Sequence, residues 1–370
     1  MHIVHLTSAH PRYDIRIFLK ECRSLVKEHK VSFVVTDGKG DETKEGVYIY
    51  DVGSSKNRIH RVLKTVFSVY KKAVELDADA YHLHDPDLLL ISNKLKNKGK
   101  IVVFDSHEDF SAEVSSKSYL NPMIAKFMPF LITVYENYFL KKLDMVVAAT
   151  PFIRDKLKKI NANSIDINNY AMLSEFYSEV IPFEQKKQVA CYVGDLVKIR
   201  GIKEIVNAAF FCKKKDQGKI ITIVGKFSEP ELLDVVKKSS GYSCVNFVGQ
   251  LSRSDVKNVL KESMIGLINF LPAPNHVASS PNKMYEYMSA GIPIIASNFP
   301  LWKEIIEGNR CGICVDPRSP EEIAKAIDYL LSNPDVSEEM GRNGRLAVES
   351  KYNWENESKK LLEIYKGFSR

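Results

Sequence analysis

SSPNKMYEYMSAGIPIIASNFPLWKE, residues 279–304, reads as helix, strand and helix in succession. Pro281 stands where a helix opens, because the first turn has no use for the N–H that proline lacks. Residues 292–297 (IPIIAS) form an almost wholly apolar run of strand length, and Pro300 opens the next helix. A strand that is apolar on both faces and flanked by helices belongs to a parallel sheet covered on both sides.

The alternation continues outward in both directions. HIVHLT (2–7), VSFVVT (31–36), GVYIYDV (46–52), AYHLHD (80–85), KIVVFD (100–105) and DMVVAAT (144–150) read as strands. Helical patterns lie between them at Asp14–His29 and Arg58–Leu76, with others opening at Pro86 and Pro151. A second set comprises VACYVG (189–194), KIITIVG (219–225), VNFVG (245–249), MIGLINF (264–270) and CGICVD (311–316), with a helix from Gly201. Between the sets, YAMLSEFYSEVIPFEQKKQ (170–188) follows neither period. This reading gives an α/β protein of two Rossmann-like domains, 1–170 and 188–352, joined by a linker at 171–187. A terminal helix at 353–370 is expected to cross back onto the first domain.

The 370 residues suffice for two domains, and no run of about 18 uncharged apolar residues exists to span a membrane. The 53 Lys+Arg and 46 Asp+Glu leave +7, of which residues 1–170 carry +5 (26 against 21) and the remainder +2. That surplus fits an acidic ligand or an anionic membrane surface rather than nucleic acid, and equally a mildly basic soluble surface. MHIVHLTSAHPRYD has no basic segment before an apolar core, so no secretory signal is expected, and six cysteines fit a reducing cytoplasm. The glycine fingerprint of dinucleotide binding is missing after the first strand (Thr7-Ser8-Ala9-His10-Pro11) and after VACYVG (Gly194-Asp195-Leu196). The expected ligand therefore lies in a cleft between the domains.

Behind Pro281, the backbone N–H groups of Asn282 and Lys283 open off a helix N-terminus, and Lys283 adds a full charge: an anion site. Glu286, three residues on, is placed to accept ribose hydroxyls; a plain Lys–Glu pair on a solvated helix is the alternative. Cys311 and Cys314 have C-x-x-C spacing without a second pair, so they read as part of a buried strand. The apolar, aromatic stretch 122–143 reads either as a core or cleft-lining helix or as one resting on a membrane.

With Pro281, Lys283, Glu286, Tyr287, Met288, Gly291, Pro293, Ala296 and Ser297, this segment resembles the donor-binding segment of retaining, family-4 glycosyltransferases of the GT-B fold. HLTSAHPRYDIRIFLKE, HLHDPDLL at 82–89, FDSHED at 104–109 and GNRCGICVDPRSPEEIAKAI resemble the members that assemble polysaccharides and O-antigens. The resemblance implies that Glu286 binds the donor ribose. It implies that Ser280, Asn282 and Lys283 form the loop facing the donor, and that Arg200 before Gly201 clamps the diphosphate. His107 would lie near the donor sugar and the reaction centre. Two positions depart from the family: Ala278 stands where a first Glu orients sugar hydroxyls, and Asp195 where a first clamp Arg is usual, leaving Lys283 or Lys198 as second cation. Gly225 with Lys226, and Gln250 with Leu251, end strands and are expected to frame the base. His10, Asp14, Arg16, His84 and Asp85 are expected to line the acceptor side, with Asp14 capping a helix and pairing with Arg16.

The implied activity is transfer of a sugar, with retention and without a metal or other cofactor, from a nucleoside-diphosphate sugar, by family usage uridine diphosphate. The acceptor would be a glycan or polyprenyl-linked chain in cell-surface polysaccharide synthesis. The implied location is cytoplasmic, with peripheral contact to an anionic membrane. Two alternatives stay open at this point: a sugar-nucleotide 2-epimerase of the same architecture, and a non-catalytic nucleotide-sugar-binding partner.

Overall fold

The computed structural model describes the chain apart from residues 56, 109–121, 174–180, 214–217, 278 and 370. It divides into two compact units, Met1–Asn169 with Trp354–Arg370, and Tyr170–Asn353.

The first unit is built on an eight-stranded sheet in the order β3-β4-β2-β1-β5-β6-β7-β8. Its strands are β1 (His2–Leu6), β2 (Lys30–Val35), β3 (Glu42–Lys44), β4 (Val47–Asp51), β5 (Ala80–Leu83), β6 (Ile101–Ser106), β7 (Met145–Ala148) and β8 (Ser164–Asp166). All pair in parallel except β3, which runs antiparallel to β4. The second unit carries six parallel strands in the order β11-β10-β9-β12-β13-β14. These are β9 (Lys187–Val193), β10 (Ile221–Val224), β11 (Val245–Gly249), β12 (Ser263–Ile268), β13 (Ile294–Ser297) and β14 (Gly312–Val315). Its sheet has an apolar layer on each face, one built around Ile205, Ile223 and Ile327, the other around Met288, Ile294 and Trp302.

The apolar runs found every expected strand; β3 and β8 escaped because each is three residues long and polar. The first helix begins at Ile15, one residue after Asp14, whose carboxylate accepts from the N–H groups of Arg16 and Ile17 (2.8 and 2.9 Å). From Ile15 to Cys22 it winds in π register, with Leu19 N donating to Asp14 O five residues back. It closes at Leu25 rather than His29. The wider winding sets residues five apart on one face, so Arg16 and Glu21 both point inward. Pro86 opens a single tight turn, Pro86–Leu88, ahead of the helix Leu89–Lys96. Pro281 sits one place earlier than expected, as the N-cap of the helix Asn282–Ser289.

The final helix, Trp354–Phe368, belongs to the first unit. Trp354 Nε1 donates to Ser24 Oγ (2.9 Å), Asn168 N donates to Glu357 Oε2 (2.8 Å), and Tyr365 OH meets His82 Nδ1 (3.0 Å). The segment expected as a linker contributes Ala171 and Phe183 to the second unit's core layers. The C-x-x-C pair is structural: Cys311 is buried against Ile306 O and Cys314 lies in β14. Among the described residues no helix is long and apolar enough to cross a membrane.

Removing the Trp354 side chain empties a buried site of the first unit. Trp354→Ala should cost about 3–5 kcal/mol, the range for large aromatic truncations, seen as a lowered urea midpoint. A midpoint equal to the parent's would show that this helix is not integral to the unit.

Candidate functional site

In open parallel sheets, ligands bind beyond the carboxyl ends of the strands, where the strand order reverses. In the second unit that point lies between β9 and β12, followed by Gly194 and by Asn269-Phe270. The residues singled out at Lys283 and Arg200 converge there. Tyr287, fully buried, accepts a hydrogen bond from Val193 N (3.0 Å) at the end of β9 and so anchors the Asn282 helix across the sheet. One turn earlier on that face, Lys283 reaches over the backbone after β9: a Cβ on Gly194 would fall 2.5 Å from Lys283 Nζ, and Gly194 has φ +141°. The positive φ favours glycine at this position, and a side chain there would push the lysine tip aside.

Lys283 Nζ meets Tyr192 OH at 3.3 Å and stands 4.3 Å above the Tyr192 ring. It also lies 5.3 Å from the centre of Phe270, while the Arg200 guanidinium lies 4.1 Å from the same ring. Two cations therefore share one aromatic platform, and among the described residues no carboxylate forms an ion pair with either. Removal from water, and secondly repulsion by Arg200, push the Lys283 ammonium down to about 7. A dianion placed between them would reverse both effects. No side chain caps the Asn282 helix, so its first N–H groups add to the same site. Trp302 Nε1, donating to Ser279 O (2.6 Å), holds the loop that carries Ser280.

The remaining donor-side residues are more dispersed. Glu286 is partly buried on the Asn282 helix, 3.5 Å from Arg253 Nη2, a neighbour that no sequence pattern singled out. Gly225 follows β10, its N–H on Gly249 O (2.9 Å), and packs against Gly194 so closely that a Cβ would meet Gly194 O at 1.9 Å. Gln250 is exposed, whereas Leu251 packs partly against the core. Asp195 and Lys198 are exposed, whereas Lys283 shares the Phe270 ring with Arg200. Ala278 lies outside the described residues. Tyr192 and Phe270 were missed because buried aromatics read as core in a sequence.

In the first unit the strand order reverses between β1 and β5. Beyond these strand ends Asp85 accepts from Thr7 Oγ1 (2.6 Å) and Ser8 N (2.7 Å). His10 sits between Asp85 (3.6 Å) and Asp14 (3.5 Å), partly exposed. Burial opposes its charge, but the bond to Asp14 and the Asp85 charge outweigh it and raise its pKa. His107 follows β6, with its ring 4.8 Å from that of His10 and Nε2 2.9 Å from Asp105 Oδ2. These groups form one polar surface at the strand ends; Asp109, beside them in sequence, lies outside the described residues.

Two acceptor-side expectations are corrected. Arg16 does not pair with Asp14: Nε and Nη2 grip both oxygens of Asp105 (2.7 Å each), and Nη1 donates to Ile167 O (2.8 Å). The π winding turns Arg16 inward, with 4% of its side chain exposed. His84 is likewise fully buried, since it follows His82 on the inward face of the β5 edge. Both lie beneath the surface formed by His10, Asp14, Asp85 and His107.

A buried cluster of His5, Glu21, His82 and His84 brings possible ligand atoms within 4.8 Å of one another. Within it, the contact between His5 and His84 has the geometry of a hydrogen bond. His5 Nδ1 and His84 Nε2 are 2.8 Å apart, with ring planes 13° apart and centroids at 5.1 Å. The rings lie end to end with their nitrogens aimed at each other, so one carries the proton and their lone pairs share no outer point. Burial, and then the Asp105 charge, push the Glu21 carboxyl well up.

Comparison with known proteins covers both units. A family model described as "Glycosyltransferase Family 4" matches residues 16–167, and one described as "Glycosyl transferases group 1" matches residues 174–347. An uncharacterized glycosyltransferase of Methanocaldococcus jannaschii is 26% identical over 237 residues, 61% of this chain and 59% of that protein. The chain spans about half to three-fifths of the length of the first curated relatives it matches. Among solved structures, a sucrose-phosphate synthase of Thermosynechococcus elongatus superposes with TM-score 0.78 at 16% identity, over 99% of this chain and 98% of that one. HepE of Anabaena, solved in complex with UDP, superposes with TM-score 0.73 at 14% identity, over 99% of this chain and all of that one.

The lowered Lys283 pKa has a measurable consequence. A bound diphosphate favours the ammonium, so binding should take up a proton, and affinity should fall as pH rises above 7. The expected loss for UDP is about tenfold per pH unit between pH 7.5 and 8.5. Titration calorimetry in two buffers of different ionisation enthalpy counts the proton, and Lys283→Met should abolish the uptake. Equal uptake in that variant would clear Lys283 of the role.

Proposed function

Because this chain belongs to the GT-B glycosyltransferases, with a family-4 match over its first unit and a group 1 match over its second, we propose that it transfers a sugar from a nucleoside-diphosphate sugar, by preference a UDP-sugar, to a glycan or lipid-linked hydroxyl acceptor with retention at the anomeric carbon. The carrying observation is the pair Arg200 and Lys283, two cations near the one Phe270 ring and without an ion-paired carboxylate among the described residues, beside a helix N-terminus that no side chain caps. That arrangement suits the charge that develops on a departing diphosphate. Glu286, one turn along the same helix, is assigned to the ribose hydroxyls. In the step envisaged, the anomeric C–O bond to the diphosphate breaks as the acceptor oxygen bonds to that carbon on the same face. The acceptor proton passes to the leaving phosphate, and the protein's own residues supply the charge stabilisation. His107 is assigned to the transferred sugar, and His10, Asp14 and Asp85 to the acceptor side.

A cell-surface glycan as product class is supported by the motifs shared with the polysaccharide-assembling members. Contact with an anionic membrane is supported by the first unit's surface. Ile59 (73% exposed), Leu63 (70%) and Phe67 form a stripe four residues apart, and the helix Pro122–Leu140 exposes Phe130 (67%), Leu131 and Tyr138. Lys71 and Lys142 lie over the Phe67 and Tyr138 rings, and both stretches pack against the Leu89 helix. The six cysteines, all free thiols, support a cytoplasmic site of action.

The decisive assay offers a panel of nucleotide sugars and follows nucleoside diphosphate release and glycosylated product. Release from at least one donor is expected; a product formed from donor alone would reassign the chain as an isomerase, and binding without turnover would make it a non-catalytic binder. Glu286→Ala should weaken nucleotide binding by about 1.5–3 kcal/mol, roughly 10- to 150-fold, the value of hydrogen bonds to a charged group. Arg200→Ala should lower turnover by about a hundredfold, as loss of one charge-stabilising group does. Leu63→Glu with Phe67→Glu should release the protein from vesicles containing anionic lipid, without change in donor turnover in solution.

A further inference from the structure

We propose that Asp105 is a positioning residue that holds His107 in one tautomer, with the proton on Nε2, and so reserves Nδ1 for a bound ligand. The inference rests on the reading of His107 as a group that faces the transferred sugar.

Four observations carry it. Asp105 is fully buried at the end of β6 and both of its oxygens are gripped by Arg16 at 2.7 Å. Its burial opposes ionisation, yet the guanidinium, ahead of His107, holds the carboxyl well below the usual range, so Asp105 is an acceptor only. Oδ2 then lies 2.9 Å from His107 Nε2, a separation at which two lone pairs repel and an N–H binds. His84 Nδ1, 3.2 Å from His107 Nε2 and 3.4 Å from the same carboxylate oxygen, backs the contact from the interior.

A neutral imidazole has one proton, and fixing it on Nε2 leaves the lone pair on Nδ1. Among the described residues, the His10 imidazole and the carboxylate of Asp14 also lie near this ring, both on the polar surface at the strand ends. The order continues inward, because His84 Nε2 and His5 Nδ1 share a single proton across 2.8 Å. His107 is thus the outermost of three imidazoles in a row, its orientation set from inside by Asp105 and, through Asp105, by the π-wound helix that carries Arg16. The bias is expected to be roughly tenfold or more, as a charge-assisted bond provides.

The tautomer can be read without substrate, so its outcome is separate from that of the transferase reading. In protein with 15N-labelled histidine, at a pH where the ring is neutral, long-range proton–nitrogen NMR should show His107 with a protonated Nε2 and an unprotonated Nδ1. His107→Ala assigns the signals. The double variant Arg16→Met with Asp105→Ala, which removes the buried charge together with its partner, should show a mixture of tautomers. A native protein with the proton on Nδ1, or with both tautomers mixed, overturns the proposal even if the variant does not fold. So does a folded double variant whose His107 keeps the native pattern.

Discussion

Arg16 carries a full charge into the interior of the first unit, and three of its donors end on Asp105 and on the carbonyl of Ile167. Such a pair is expensive to break: losing one partner of a buried ion pair typically costs about 3–5 kcal/mol, because the other is left charged and dry. It ties the helix after β1 to the end of β6 and to the chain leaving β8, three segments far apart in sequence. The positions of His107, through Asp105, and of His10, through the Asp14 cap, both follow from it. The surface at these strand ends is therefore held by a contact beneath it.

The second unit uses charge in the opposite way. Where the first unit neutralises its buried cation with two oxygens, the second leaves Arg200 and Lys283 near one aromatic ring with no ion-paired carboxylate among the described residues. The lowered pKa of Lys283 records its burial first and the nearby Arg200 charge second. A site of this kind is less comfortable empty than filled, so part of the free energy of binding an anion comes from relief of repulsion already present in the protein.

The sequence pattern was informative where chemistry coincides with periodicity. Short stretches rich in apolar residues marked twelve of the strands, and the Pro281–Glu286 segment marked the start of a helix that carries a lysine and a carboxylate three residues apart. What it hid has physical causes. The strands β3 and β8 have no apolar run to reveal them, being edge pieces of three residues. The π winding of Ile15–Cys22 changes which residues share a face, so a helix drawn at 3.6 residues per turn places Arg16 beside the wrong carboxylate. His84 and Arg16 are polar side chains in polar-looking motifs, and only the buried network explains their depth. Tyr192 and Phe270 show the converse, aromatics that look like core and form the platform under the cations.

The return of the last helix has a consequence for how the protein is made. Trp354 and Ser24, joined by a hydrogen bond, are 330 residues apart in the chain. At about 5–20 residues per second, a ribosome needs roughly 15–65 s to travel from one to the other. During that interval the first unit lacks the cover for His82 and the partner for Asn168 N, while the whole of the second unit is synthesised and free to fold. The unit that is begun first is the one that is finished last.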